Sequence, residues 1–139
     1  MSAACELCVR DGGVLVVRGT AFRVIRVEDA NFPAFYRVIW NDHVAEWTDL
    51  PPAERSLCMQ AVAKVETVLR EALAPTKINL ASLGNVVPHL HWHVIARFGW
   101  DSHFPQPVWG QAQRAVDPPA AARLALPLPD LDGRVAAAL

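Results

Sequence analysis

No stretch of this chain reaches the roughly 18 consecutive apolar residues that a membrane-spanning helix needs. Its opening, Met1-Ser2-Ala3-Ala4-Cys5-Glu6-Leu7-Cys8, has neither a basic start nor the apolar segment of a secretory leader. Positive charge is not in excess either. The sequence holds 13 basic residues against 14 acidic ones, whereas a protein that grips a nucleic-acid backbone normally carries a clear basic patch. Three cysteines in 139 residues are too few for a disulfide framework and read as reduced thiols or metal ligands. No internal repeat is visible. These absences lead us to expect a cytoplasmic protein that has neither a membrane nor a nucleic-acid polymer among its partners. A hydrophobic content of 53% over this length predicts a single domain with a real core.

Val14-Leu15-Val16-Val17 and Phe22 to Val27 read as two strands around the Gly19-Thr20 turn, with Arg23 and Arg26 at the edges of the second strand. Asn31-Phe32-Pro33 breaks the pattern, and Phe35 to Trp40 resumes extended structure. Asp49 is a candidate helix cap before Leu50-Pro51-Pro52. Beyond it Leu57, Ala61, Val62, Val65, Val68, Leu69, Ala72 and Leu73 recur at three- and four-residue spacing, which predicts one long amphipathic helix from near Pro52 to Leu73. Pro75 ends it. Cys58 lies beside the core face of that helix and reads as a small apolar residue. Lys77 to Leu83 reads as a strand, Gly84 to Pro88 as a turn and Leu90 to Phe98 as a last strand. Strands, a long helix and strands again make an α+β fold. Trp100 to Trp109 has the character of an ordered loop packed over a site. From Ala115 onward the chain is rich in Ala and Pro, with weak helical character only over Leu131 to Leu139, and reads as a partner-docked or partly disordered tail.

The segment Pro88-His89-Leu90-His91-Trp92-His93-Val94-Ile95 carries the chemistry. Side chains alternate along a strand, so His89, His91 and His93 share one face, about 6.5–7 Å apart, while Leu90, Trp92 and Val94 take the other. Imidazoles titrate near neutrality, and such a row can bind phosphate, hold a metal or attack phosphorus. A merely structural strand would use Val, Ile or Thr, because each buried ring nitrogen needs a partner. A catalytic metal held by the row would need a carboxylate close by, and Asp101 is the nearest acid.

The His-apolar-His-apolar-His-apolar-apolar pattern, after a long helix and a Gly-containing turn, resembles the histidine triad (HIT) family of nucleotidyl hydrolases and transferases. Phe32-Pro33, Asn41-Asp42-His43-Val44 through Asp49-Leu50, and Lys77-Ile78-Asn79-Leu80-Ala81-Ser82-Leu83-Gly84-Asn85 fall in the family's order. The chain looks most like the bacterial branch described as diadenosine-polyphosphate-hydrolase-like. The resemblance implies a HIT-like antiparallel sheet of about five strands with one long helix. It implies a HIT domain over residues 1–110, followed by an Ala/Pro-rich extension over 111–139. It also implies an enzyme in which His91 attacks the α-phosphorus of a dinucleoside polyphosphate or nucleoside phosphoramidate. A nucleotidyl-histidine then forms, and water cleaves it. His89 and His93 would bind phosphate oxygens or orient His91, while Asn79 and Asn85 would contact the nucleotide or its phosphate. The substrate would be adenine-containing and the protein a homodimer.

Three positions depart from the family's habit. Phe35 stands where many members have a fourth histidine, Asn85 where many have Gln, and Val86 where some have Ser. They leave a second reading open, a nucleotide-binding or sensing protein with little or no turnover. The Cys5-x-x-Cys8 pair alone leaves zinc ligation, redox chemistry and chance open. Some HIT members build a structural zinc from such a pair, a histidine matching His43 and a triad histidine, which implies a closed site of Cys5, Cys8, His43 and His89.

Overall fold

In the computed structural model, which describes residues 4–139, five strands form one antiparallel sheet. They are β1 (Val14–Arg18), β2 (Phe22–Arg26), β3 (Phe35–Trp40), β4 (Lys77–Ala81) and β5 (His91–Arg97), in the spatial order β1-β2-β3-β5-β4. Insertion of β5 beside β3 puts the histidine segment in the middle of the sheet, with Ile39 opposite His91 and Arg37 opposite His93. Three α-helices accompany the sheet, α1 (Glu6–Val9), α2 (Pro52–Leu73) and α3 (Leu128–Ala138), where the sequence pattern gave one.

The sheet has two unlike faces. On one, Val24, Val38 and Val94 pack against Ala61, Val62, Val65 and Leu69 of α2 and against Leu131 and Val135 of α3. Helix α2 has the bounds its periodicity predicts. Pro52 suits the first turn, where its missing N–H leaves no bond unmade. At the other end Ala74 turns left-handed at φ 46° and Pro75 stops the helix. Leu57 is exposed, and Cys58 takes the core position beside it, where burial raises its thiol pKa to about 11. Asp49 does not cap α2. It closes a short 3-10 turn over Trp47–Asp49 by accepting the Glu46 backbone N–H, because Leu50, which precedes a proline, is held extended.

The other face is polar at its centre and has two covers. Helix α1 lies over Ile25 and Ile39 through Leu7 and Cys5, and Phe32 packs with Phe35 and Ile95. Arg23 is buried, not placed at an edge: its guanidinium donates to the carbonyls of Leu7, Arg10 and Asp11 and pins α1 to the sheet. Arg26 also has a specific partner, the Asp132 carboxylate on α3 at 2.9 Å, which accepts the Tyr36 hydroxyl at 2.7 Å as well. Asp132 thus ties the tail to the domain. Its last helix packs on the domain's own core, with Leu131 and Val135 fully buried.

Asp132→Ala should destabilise the fold by about 2 kcal/mol, since it strands a buried phenol and a guanidinium together. Tyr36→Phe should cost about 1 kcal/mol, because it leaves the Arg26–Asp132 pair in place. Urea unfolding of the two variants measures both.

Candidate active site

The three triad histidines are buried, at 0% exposure for His89, 8% for His91 and 4% for His93. Strand β5 begins at His91, so His89 precedes it in a bend and its ring takes a different direction from the other two. The His89 Nε2–H donates to the Trp40 carbonyl at 2.6 Å, which leaves Nδ1 as a lone pair, 3.5 Å from the sulfurs of both Cys5 and Cys8. His43 Nδ1 stands 3.3 Å from the Cys8 sulfur. The candidate ligand atoms of Cys5, Cys8, His43 and His89 all lie within 4.8 Å of one another. In a tetrahedral zinc site, sulfur and nitrogen ligands are about 3.5 Å apart, given Zn–S near 2.3 Å and Zn–N near 2.0 Å. Two thiols, two imidazoles and the Trp40 carbonyl that holds the far nitrogen of His89 fit a closed zinc site.

His91 has a different arrangement. Its Nδ1 lies 2.6 Å from the His89 carbonyl oxygen. A carbonyl only accepts, so Nδ1 carries the proton and Nε2 keeps its lone pair. His93 is the reverse. The Arg37 Nε–H donates to His93 Nδ1 at 3.2 Å, so that nitrogen is the acceptor and the proton sits on Nε2. The two rings meet edge to face with centroids 5.0 Å apart, one offering a lone pair and the other an N–H. Burial lowers the pKa of His91, and burial together with the Arg37 charge and His91 lowers that of His93 to about 3. Both shifts favour the neutral ring.

His91 and His93 open into a cavity of about 390 Å³, walled by Glu6, Leu7 and Gly12 on one side and Trp109 on another, with Arg37 lining it. The turn after β4 forms its rim. Gly84 takes φ 80° there and presents Asn85, which lines the same cavity. Asn79 sits apart. It faces the neighbouring groove, pairs across the sheet with Ile95, and accepts an N–H of Arg97 at 2.9 Å. His89 is absent from the cavity lining, and what it gives His91 is its backbone carbonyl. Phe35 lies edge to face on His93 at 5.6 Å, and Val86 is 93% exposed with no hydroxyl to offer.

Asp101 is not available to a metal at the triad. Its carboxylate holds Arg97 at 2.8 Å and accepts the backbone N–H groups of Phe98, His103 and Phe104. Burial alone would raise its pKa, and these donors hold it below the usual carboxylate value. Arg97 also donates to the Gln106 carbonyl, so the 99–110 loop is strapped down and carries Trp109 to within 5.5 Å of His93, centroid to centroid. Sequence reasoning placed that loop over a site but did not single out Trp109 or Arg37. The available signal for Arg37 was a lone cation in the apolar run Phe35-Tyr36-Arg37-Val38-Ile39-Trp40.

The sequence matches the HIT domain over residues 13–99, well over half of the chain, and the chain belongs to that family. HIT domain proteins bind and hydrolyse nucleotides, and some members are not catalytic. Among solved structures, the chain is similar to a histidine triad protein from Bradyrhizobium japonicum, with 26% identity and a TM-score of 0.72 over 90% of this chain and 89% of that one. It shares its fold with a histidine triad protein from Marinobacter aquaeolei VT8, with 23% identity and a TM-score of 0.75 over 100% and 96%. It shares it also with a zinc-bound histidine triad family protein from Mycobacterium smegmatis, with 18% identity and a TM-score of 0.62 over 97% and 92%. No curated protein matches the sequence. No helix among the described residues is long and apolar enough to cross a membrane.

Protein purified without chelator should contain about one zinc per chain by elemental analysis, and Cys8→Ser should lose the metal together with some stability. The His93 ring gives a second expectation. Its pKa falls from an ordinary 6.5 to about 3 on folding, so the unfolded chain binds the proton more readily. The stability contributed is fully present above about 6.5 and is lost as the pH falls toward 3. In urea unfolding between pH 7 and pH 4, His93→Gln should show a flatter pH dependence than the unaltered protein.

Proposed function

We propose that this protein is a nucleotidyl hydrolase or transferase that acts on the α-phosphate of a nucleoside phosphate, with His91 as the nucleophile. The observation that carries the reading is the fixed tautomer of His91, whose unprotonated Nε2 belongs to the ring that opens into the cavity. Its lone pair forms a bond to phosphorus, the bond from phosphorus to the leaving group breaks, and the electron pair departs with that group. The His91 imidazole becomes a cation, stabilised through Nδ1–H on the His89 carbonyl. Water then forms a new P–O bond as the P–N bond breaks. The electron pair returns to Nε2, and the proton of water leaves with the released nucleotide or to solvent.

The His93 Nε2–H is a hydrogen-bond donor for a phosphoryl oxygen, and the Asn85 amide adds a second donor at the rim. Asn79 serves the more distant part of the nucleotide along the groove beyond Trp109. A zinc held by Cys5, Cys8, His43 and His89 is structural in this scheme, since it has four protein ligands and no open position. The order of motifs from Cys5 to Trp109 supports a diadenosine-polyphosphate-hydrolase-like enzyme with adenine-containing substrates. We take 1–110 as the catalytic domain and 111–139 as its extension, and the working form as a cytoplasmic homodimer.

Phe35 and Val86 favour the second reading, a nucleotide-binding protein with little turnover, because neither can donate to phosphate. Rapid quenching with labelled diadenosine polyphosphate separates the two. A nucleotidyl adduct on His91 is expected, and an adduct on another residue would overturn the assignment. His91→Ala should lower turnover by about three orders of magnitude or more with modest effect on nucleotide affinity, and His93→Ala should lower it less. Nucleotide binding with neither adduct nor turnover would establish the binding protein.

A further inference from the structure

Arg37 is the one group at the cavity whose chemistry the scheme above leaves half used. It lies in the middle of the sheet on β3, flanked by Ile25 of β2 and His93 of β5. Its Nε–H is taken by His93, and its guanidinium carbon lies 5.6 Å from the centre of the Phe35 ring. Among the described residues the two Nη nitrogens have no hydrogen-bond partner, and no carboxylate is within ion-pair distance. The acidic group whose charge reaches it is Glu6, exposed on α1 at the cavity wall. A guanidinium lining an open cavity with its fork free is a site for a phosphate-type anion, which it can bind in a bidentate way.

Arg37 also limits what can leave. An amine leaving group must be protonated as it departs, and the acid at hand would be a doubly protonated His93. The nitrogen that would have to take that second proton is the acceptor for the Arg37 Nε–H. A phosphate or polyphosphate leaves as an anion and needs no such acid. It needs a cation to stabilise the charge that develops, which a guanidinium supplies.

We propose that Arg37 is the specificity-determining residue of this site. By this assignment it selects nucleotides joined through a phosphoanhydride, whose leaving group is a phosphate chain bound by the free Nη pair, over nucleoside phosphoramidates. The assignment of substrate rests on the nucleophilic reading of His91, whereas the anion-binding role of Arg37 does not.

The test compares two substrates and two ligands. In the unaltered protein kcat/KM should be higher for diadenosine tetraphosphate than for adenosine phosphoramidate. Arg37→Met should lower it for the tetraphosphate about 10- to 100-fold more than for the phosphoramidate, the range expected for a charged hydrogen-bonded contact. Arg37→Lys, which keeps the charge and loses the fork, should retain part of the preference. In calorimetry the unaltered protein should bind ADP more tightly than AMP, and Arg37→Met should erase that difference while AMP still binds, which also shows that the variant is folded. Equal loss on both substrates, or an ADP preference untouched by the substitution, would overturn the proposal. If neither substrate is turned over, the hydrolase reading fails and the ADP-against-AMP comparison alone decides the role of Arg37.

Discussion

An imidazole can attack phosphorus only from a nitrogen that bears a lone pair, and His91 has one at Nε2 because its Nδ1–H is held 2.6 Å from the His89 carbonyl oxygen. That carbonyl must itself be immobile. His89 is fixed by its own ring, whose Nε2–H donates to the Trp40 carbonyl and whose Nδ1 faces the two cysteine sulfurs. The cluster that fits zinc is therefore joined to the His91 ring through the His89 backbone. It is outside the cavity, yet it sets which nitrogen of His91 is free. A triad that looks uniform in sequence thus divides into three arrangements: a ring that fits the zinc cluster and an accepting carbonyl at His89, a lone pair at His91, an N–H at His93.

Legibility of the fold from sequence followed the range of the interactions. Helix α2 was readable to its end residues because its stripe, its opening prolines and Pro75 are all local. The strands were readable to within one or two residues for the same reason. Asp49 misled because the 3-10 turn that uses it depends on the Glu46 backbone N–H and on the proline after Leu50. Helix α3 was underread because Ala and Pro carry no period. What orders it, the bond of Asp132 to Tyr36 and Arg26, joins residues about a hundred positions apart.

The candidate site was legible in its residue types and not in its directions. The Cys5-x-x-Cys8 pair, His43 and the triad could be named, and the four proposed ligands do come together. Strict alternation, however, predicts that His89 shares the face and the task of His91 and His93. The strand starts at His91, so the period that justifies the inference does not extend back to His89. Arg37 escaped notice for a related reason. Its significance comes from register, opposite His93 on the neighbouring strand, and register across 56 residues of chain is set by the whole sheet.

Three arginines on the histidine face show how the cavity is built and why one of them is different. Arg23 donates to three carbonyls around α1 and fixes the wall that carries Leu7 and Gly12. Arg97, between Asp101 and the Gln106 carbonyl, fixes the loop that carries Trp109 on the opposite wall. Arg23 bonds to backbone carbonyls, and Arg97 to a carboxylate, the Asn79 amide oxygen and a carbonyl, because an unpaired charge away from water is costly. Arg37 lies between those walls with a single hydrogen-bond partner among the described residues, the imidazole of His93. A partly buried guanidinium is stable in that state only where solvent or a ligand reaches its free nitrogens, and the cavity is the route by which one does. The covers held by Arg23 and Arg97 therefore set the shape of the site, and the charge left free at its centre sets the sign of what it binds.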